Sequence, residues 1–300
     1  MSLEPKDESV HEYPRPLDSP WKENWYFNFI DKKNGAWGVN HFSIERHKSR
    51  ARFSAFHVVD GEVLMYSNLV PIDDGFRELT DGKLKAEFIE PFQKFRLTFN
   101  GPRHRVELNY EARFGVFDYA MGKSQKPGKS GRAAMEHYEQ ALFARGVIEK
   151  DGKTREIDCF GHRDHSWGYR NESKVTAWNW VAVQFADKTI NLYRAVIGQA
   201  FIGSGFISNA SGNTRVVRMN IEDTKFENKA PVSSVYAGTD QNGKVWRLRS
   251  RKFSSLYLPM KEKGDGVVIH ENFSDYEDLD TGEKGVGIDE YLINPVTGKA

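Results

Sequence analysis

The sequence predicts an all-β protein of antiparallel strands, folded as barrels or sandwiches in two related units with little helix. Short segments with alternating apolar residues recur along the chain, and Asn-Gly or Asp-Gly pairs suited to tight hairpins separate them. Aromatic residues make up 13% of the chain and are accompanied by 26 glycines, a composition that favours strands. Residues 24–32 are echoed by residues 179–188, which indicates two similar β units in tandem.

The first half contains seven segments with the period-two pattern of a strand. Turns between them are predicted at Asn34-Gly35, Asp60-Gly61 and Asp81-Gly82, because these residue types tolerate the backbone angles of tight turns. The predicted strands are residues 25–30, 37–44, 52–58, 62–69, 84–88, 95–99 and 106–110.

The second half begins after the one segment with a helical pattern, residues 133–144. Met135, Tyr138 and Leu142 would fall on one helix face, although an extended segment is the alternative. A hairpin of residues 146–149 and 155–160 then leads into a polar motif. Further strands are predicted at residues 178–185, 189–197, 216–221, 232–238, 244–251, 267–273 and 285–293.

These patterns predict three parts of the chain. Residues 1–20 are polar and contain four prolines, so we expect a flexible lead-in. Residues 21–145 would form an N-terminal β domain. Residues 146–300 would form a C-terminal β domain that carries the polar motif.

Composition excludes several classes of function. The chain has 43 basic and 42 acidic residues, which gives no electrostatic basis for nucleic-acid binding. The most basic run, residues 123–132, is predicted to be a solvated linker. A single cysteine, Cys159, excludes an internal disulfide and is expected to be buried. No apolar run is long enough to span a membrane or to form a signal peptide, so a cytoplasmic location is expected.

Chemistry is concentrated in residues 161–171, which combine two histidines, an aspartate, two arginines and a tryptophan between glycines. On a strand, Arg163, His165 and Trp167 would share one face, opposite Asp164. The glycines at either end of the motif could bend the strand. Without such a bend, Asp164 and His165 cannot line one pocket.

His165 is the candidate general acid or base, because the unperturbed pKa of imidazole lies near neutral pH. A hydrogen-bonded core histidine is the alternative. Trp178 and Trp180 would share a strand face as walls of a pocket, or as ordinary core. His137 and Glu139 would share a strand face as a second proton-handling pair, or as a structural pair.

A metal site is a further alternative, because histidine and carboxylate side chains are common ligands. His162 and His165 would lie on opposite faces of a strand, which argues against a shared metal ion, and no metal is expected. Neither a Gly-x-Gly-x-x-Gly turn before a helix, a phosphate-binding loop nor a Gly-x-Ser-x-Gly elbow is present. The alternative ligand set would be drawn from His162, Asp164, His165, His137, Glu139 and His270.

The run from Arg163 to Gly168, with His137 to Gln140 before it and residues 178–180 after it, resembles the signature of the carotenoid 1,2-hydratase (hydroxyneurosporene synthase) superfamily. Residues 23–27 and 287–291 also fit, and the resemblance spans about residues 20–295. It implies two lipocalin-like β-barrels in tandem that hold a hydrophobic ligand. Its members include isoprenoid hydratases and pericyclases, which generally need no organic cofactor.

With this resemblance, the sequence predicts a cofactor-independent lyase, such as a hydratase or dehydratase, acting on an aromatic or isoprenoid small molecule. A non-catalytic carrier and an isomerase or pericyclase are the alternatives. A homodimer is among the oligomeric states left open. The expected catalytic residues are His165, Asp164, His137 and Glu139, and the expected substrate-binding residues are Arg163, Trp167, Trp178, Trp180 and Tyr193.

Overall fold

The computed structural model describes residues 3–13, 20–119, 135–169, 175–197, 200–260 and 267–293. The chain divides into two compact units, Met1–Arg170 and Asn171–Ala300. The predicted boundary at residues 145/146 is therefore displaced, because the hairpin after it pairs with strands of the first unit. The polar motif accordingly belongs to the first unit.

The first unit is one curled antiparallel sheet of ten strands. Its order is β4-β3-β2-β1-β10-β9-β7-β6-β5, with β8 beside β9. The chain thus closes back on its first strand through β10, which places the polar motif at the middle of the sheet. The strands are β1 Trp21–Asp31, β2 Ala36–Glu45, β3 Arg50–Val59, β4 Glu62–Pro71, β5 Leu84–Glu90, β6 Lys94–Asn100, β7 His104–Ala112, β8 Phe117–Asp118, β9 Glu136–Lys150 and β10 Lys153–Tyr169.

The inner, concave face of this sheet carries an aromatic core. Trp25, Phe27 and Phe29 alternate along β1, and Leu142 and Ala144 continue the same face on β9. All five are at most 1% exposed. The period-two spacing of the sequence therefore directs one face of each central strand into the core.

The structure corrects two expectations about this unit. The helical reading of residues 133–144 is wrong and its extended alternative is confirmed for residues 136–144, because β9 pairs with β10 along its whole length and with β7 from Leu142 onward. Residues 3–13 are not a loose lead-in, because they contain a 3-10 helix, Pro5–Glu8, whose Glu8 is buried. Residues 14–19 and the basic run 123–132 lie outside the described residues.

The second unit is a closed barrel of eight antiparallel strands in sequential order. The predicted strands are all present, and one strand, Ala200–Asn209, was not predicted. Among the described residues, no helix is long and apolar enough to cross a membrane. The strands are β11 Val175–Gln184, β12 Lys188–Ile197, β13 Ala200–Asn209, β14 Gly212–Glu227, β15 Ala230–Asp240, β16 Val245–Pro259, β17 Val268–Asp278 and β18 Lys284–Ile293.

Candidate functional site

The polar motif forms an unbroken part of β10. Its pairing with β1 and β9 runs from Phe160 to Trp167 without a register shift. At Gly161 a Cβ atom would lie 2.5 Å from the backbone oxygen of Asn28, so this glycine permits close strand approach rather than a bend. The motif therefore has two distinct faces, as the alternation predicted.

On the inner face, Arg163 is fully buried in a bidentate ion pair with Glu8. Its Nη1 and Nη2 atoms lie 2.8 and 2.7 Å from the two Glu8 oxygens. Its Nε and Nη2 atoms also donate to Gln140 Oε1, at 3.1 and 2.9 Å, and the guanidinium lies 4.0 Å from the centre of the Phe95 ring. We call Glu8, Arg163 and Gln140 the arginine clamp. It fixes the N-terminal segment to the sheet.

The clamp keeps both charges. Burial opposes ionisation of Glu8, but Arg163 and the Tyr138 hydroxyl outweigh it and hold the pKa of Glu8 below its ordinary value. Burial likewise opposes the charge on Arg163, while Tyr138 and Glu8 raise its pKa. A buried pair of this kind is stable only while both partners remain, because either charge alone would be desolvated and unpaired.

Beside the clamp, His165 is 0% exposed and both of its ring nitrogens are engaged. Nε2 lies 2.9 Å from Glu23 Oε1, and Nδ1 lies 3.1 Å from the Tyr138 hydroxyl. His11 Nδ1 reaches the same Glu23 oxygen at 2.6 Å. We call His11, Glu23 and His165 the inner cluster.

Aromatic rings hold both imidazoles of the inner cluster. The His165 ring stacks on Trp25 at 4.3 Å and the His11 ring stacks on Trp167 at 4.1 Å. Burial lowers the pKa of His165, although Glu23 opposes the shift. His165 is therefore neutral at pH 7, with Nε2–H donating to Glu23, while the Tyr138 hydroxyl lies 3.1 Å from Nδ1 and donates its hydrogen to Glu8 Oε2 at 2.9 Å.

Glu23 is the anion of this cluster. Burial opposes its ionisation, but hydrogen bonds from His11 and His165 outweigh it, and its pKa lies below the ordinary value. The backbone N–H of His11 also donates to both carboxylate oxygens, at 3.3 and 3.1 Å. The inner cluster therefore binds the N-terminal segment to β1 and β10 as the clamp does.

The inner cluster is also where a metal would be sought. Within the described part of the chain, donor atoms of His11, Glu23 and His165 all lie within 4.8 Å of one another. A cation about 2.1 Å from each nitrogen would have to displace the Glu23 oxygen that both imidazoles contact. The present distances are those of hydrogen bonds. The ligand set based on His162 and His165 does not form, because the two side chains lie on opposite faces of β10.

The outer face of the same strands holds a second cluster around a glutamate. Glu139 Oε2 lies 2.8 Å from His162 Nε2, and Glu139 Oε1 lies 3.3 Å from His137 Nε2. The His162 and Glu139 side chains are 1% and 0% exposed, whereas that of His137 is 18% exposed. We call His137, Glu139 and His162 the outer cluster.

Neighbouring groups orient the outer cluster. The ring of His137 stacks on Tyr119 at 4.9 Å with an interplanar angle of 6°. The backbone N–H of His162 donates to Asn28 Oδ1 at 2.9 Å. Burial, with a smaller contribution from Arg163, lowers the pKa of His162 to about 3, so this imidazole is neutral at pH 7.

The aspartate that was predicted to be catalytic lies beside the outer cluster. Asp164 is half-buried on the same face of β10 as His162 and lies opposite Glu139 and Tyr26 in the strand register. The structure thus brings Asp164 together with the predicted pair His137 and Glu139, and separates it from His165. Whether any of these residues is catalytic stays a prediction.

Three predicted binding residues lie on the outer face of the barrel in the second unit. Trp180 lies opposite Tyr193 on one side and Glu290 on the other, and the Nε1 atom of Trp178 donates to Glu290. Glu290 lies opposite Glu271 on β17, and burial raises the pKa of Glu290. Two buried carboxyl groups side by side retain a proton more readily than one.

Several residues of these clusters were not identified from the sequence. Three of them lie in or next to a polar segment with no strand pattern: Glu8, His11 and Glu23. The partner of Glu23 is 142 residues away in the sequence, and that of Glu8 is 155 residues away. Glu271 has no neighbour in the sequence that suggests a carboxyl pair. Strand register brings Glu23 and Glu271 to their partners, and packing of the N-terminal segment on the sheet does so for Glu8 and His11. The one available signal was the alternation along β10, which predicted that polar side chains on each face of this strand need partners.

Solved structures with the same architecture were found at low sequence identity. AttH from Nitrosomonas europaea is 12% identical with a TM-score of 0.74, over 98% of this chain and 97% of that one. Kievitone hydratase from Nectria haematococca is 12% identical with a TM-score of 0.64, over 94% and 90%. CghA, crystallised with Sch210972, is 11% identical with a TM-score of 0.69, over 91% and 88%.

Identities this low establish the fold alone. The tandem lipocalin-like architecture implied by the resemblance to carotenoid 1,2-hydratase is thereby confirmed. No curated protein sequence matches the chain. A family model matches residues 4–295, and the chain therefore belongs to the domain family of unknown function DUF7064.

Proposed function

We propose that this chain is an enzyme without an organic cofactor that adds water to, or removes it from, a hydrophobic small molecule with an aromatic or isoprenoid skeleton. The observation that carries the proposal is the outer cluster, in which the buried carboxylate of Glu139 contacts a neutral buried histidine and a partly exposed one. A hydratase of the same fold, kievitone hydratase, supports the reaction class.

Within the outer cluster, His137 is the residue that exchanges a proton with the substrate. The side chain of His137 is 18% exposed, whereas the Glu139 carboxylate beside it is fully buried. The Glu139 carboxylate stabilises the imidazolium form of His137, and His162 holds the second oxygen of that carboxylate at 2.8 Å. Glu139 and His162 are therefore positioning residues for His137.

In the hydration direction, the His137 imidazolium gives a proton to one carbon of a carbon–carbon double bond. The adjacent carbon becomes a cation, which branching or an attached aromatic ring stabilises. The oxygen of a water molecule forms a bond to that carbon, and the proton that the water then loses returns to His137. Dehydration follows the same steps in reverse, so one histidine serves as acid and base in turn.

The surroundings of His137 suit an apolar substrate. The Tyr119 ring stacks on His137, and Phe117 packs edge-on against Tyr119 at 5.1 Å. Aromatic faces of this kind provide apolar contact area with a fixed geometry.

The inner cluster is a weaker candidate for the chemistry, although His165 was the predicted proton donor. His165 is completely buried, and its two nitrogens contact Glu23 and Tyr138. His11, the more exposed member, has one nitrogen on Glu23 and the other 3.5 Å from Asp7. The contacts of His165 join neighbouring strands, and the contact of His11 with Glu23 joins the N-terminal segment to the sheet. We therefore propose a structural role for the inner cluster.

The proposal is tested by oxygen exchange. The protein is incubated in ¹⁸O-labelled water with a panel of isoprenoid alkenes, prenylated phenols and their tertiary alcohols. We expect a labelled alcohol, seen by mass spectrometry, with the wild-type chain and its loss with His137→Phe, which keeps a ring on Tyr119. A binding protein without activity would give unlabelled ligand only, and an unchanged rate in His137→Phe would contradict the assignment.

A further inference from the structure

The side chains in the barrel interior change from apolar to polar along the barrel axis. At one end it is filled by apolar side chains, including Val181, Phe185 and Trp246. The alternation of the strands then places a polar layer in the interior, in which Asp289 accepts hydrogen bonds from Ser250 at 2.8 Å and from Asn179 at 3.2 Å. The barrel core is therefore complete without the remaining end.

That remaining end contains a cavity of about 400 Å³ beyond the polar layer. It lies where the β14–β15 turn meets the end of β16 and the start of β17, and Glu227, Tyr257 and Val268 are among its lining residues. A volume of this size is within the range of small-molecule sites. The cavity belongs to the second unit alone and is independent of the outer cluster.

Buried polar atoms at this end have no partner in the described chain. His270 lines the cavity and is 9% exposed, yet its Nδ1 atom makes no hydrogen bond. Ser274, 1% exposed, is on the same face of β17, and its Oγ atom also has none. Buried donors and acceptors in folded proteins are normally satisfied, so a partner for His270 Nδ1 is expected in the cavity.

A cation lines the same space. Lys252 lies opposite Ser274 in the register of β16 and β17, on the same side as His270. Its ammonium group has neither a hydrogen bond nor an ion pair with another described residue. Burial and the charge of Lys252 together lower the pKa of His270, so the imidazole is neutral and able to donate one N–H.

We propose that this end of the barrel binds a small aromatic monocarboxylate, with the carboxylate between Lys252 and His270 Nδ1–H and the ring between Tyr257 and the apolar walls. Tyr257 stands edge-on to His270 at 5.2 Å and is 51% exposed, so a planar ligand can cover its face. Val232 and Val268 supply the apolar contact. Glu227, at the rim, disfavours a second negative charge on the ligand.

The test is isothermal titration calorimetry of the full chain with 2-naphthoate and with its neutral isostere 2-naphthamide. We expect saturable binding of the carboxylate and at least about tenfold weaker binding of the amide, because only the carboxylate pairs with Lys252. Equal affinities, or no saturable heat up to about 5 mM ligand, would overturn the proposal.

Variants locate the site. Lys252→Gln should weaken naphthoate binding at least about tenfold and leave the amide unchanged, because it removes the charge alone. The matched control is Lys244→Gln, an exposed lysine in the β15–β16 turn at the other end of the barrel, which should change neither affinity. Binding that Lys252→Gln leaves intact would refute the site.

A second variant tests whether the loss of charge in Lys252→Gln weakens binding only indirectly. His270→Phe keeps a ring against Tyr257 and removes only the imidazole nitrogens, so naphthoate affinity should fall by about three- to tenfold. The circular dichroism spectrum and Tm of each variant establish that the barrel is intact. Unchanged affinity in a folded His270→Phe variant would remove the imidazole from the proposal.

Discussion

The inner and outer clusters each contain two histidines and one glutamate, and they lie on opposite faces of the sheet of the first unit. In the inner cluster both imidazoles converge on one oxygen, Glu23 Oε1, at 2.6 and 2.9 Å. In the outer cluster each imidazole contacts a different oxygen of Glu139, at 3.3 and 2.8 Å. Two imidazoles that share one oxygen link two parts of the chain. A carboxylate that bridges two imidazoles has one oxygen left to support a single histidine.

The difference follows from what covers each face. Residues 3–13 lie against the inner face, where Glu8 and Arg163 form a buried ion pair. On the outer face His137 keeps part of its exposure beside Tyr119. Identical residue types therefore serve stability on one face and, in our proposal, proton transfer on the other.

The largest expected effect is on stability and comes from the clamp. Arg163→Met should lower the free energy of unfolding by about 3–5 kcal/mol, because it leaves Glu8 buried without a counter-charge. Urea unfolding monitored by tryptophan fluorescence measures it. Arg145→Met on β9 is the control, since its ion pair with Asp158 is exposed and should contribute under about 1 kcal/mol. Equal losses in the two variants would show that burial of the pair is unimportant.

The next effect is on the rate. Glu139→Gln keeps the shape of the side chain and removes the charge that stabilises the imidazolium of His137. The rate of ¹⁸O incorporation should fall by about 100-fold. Glu23→Gln is its counterpart in the inner cluster and should lower stability while the rate per folded molecule changes by less than about threefold. The reverse pattern would exchange the roles of the two clusters.

The strand content was predictable because alternation and turn residues are local signals. The turn at Asn34-Gly35 and the two faces of β10 were both predicted and are both present. The helical reading of residues 133–144 was wrong for a related reason. Met135, Tyr138 and Leu142 fit a helical period, but Tyr138 and Leu142 equally fit a period of two, and pairing with two neighbouring strands decided the outcome.

The site was predictable only in part. His137, Glu139 and Asp164 were selected as proton-handling residues and lie on one face, but their neighbour His162 was considered only as a metal ligand. The role of Glu8 could not be predicted, because its partner Arg163 lies 155 positions away and no periodic pattern links the two. This ion pair forms only when the N-terminal segment packs on the inner face of the folded sheet.

A smaller effect concerns pH. The pKa values of Glu8 and Glu23 are lowered on folding, so their contribution to stability is present above the unfolded value of about 4.5 and is lost as pH falls through the lower folded values. The difference in unfolding free energy between wild type and Glu8→Gln should therefore shrink as the pH falls from 7 to 3. Urea titrations at several pH values measure it, and a constant difference would contradict the assigned charge.

The smallest effect is expected from His11→Phe. The ring keeps its stacking on Trp167, but Glu23 loses one hydrogen bond, so the free energy of unfolding should fall by about 1 kcal/mol. Thermal unfolding should show a Tm lower by about 2–4 °C. An unchanged Tm would mean that the N-terminal segment is held by the arginine clamp alone.

The central claim, that proton transfer uses the outer cluster, is tested most directly by comparing His137→Phe with His11→Phe. The two histidines are matched, since each is 17–18% exposed, contacts a buried glutamate and stacks on an aromatic ring. The measurement is the rate of ¹⁸O incorporation from labelled water per folded molecule. We predict a loss of at least about 100-fold in His137→Phe and less than about threefold in His11→Phe. A full rate in His137→Phe together with a large loss in His11→Phe would contradict the account.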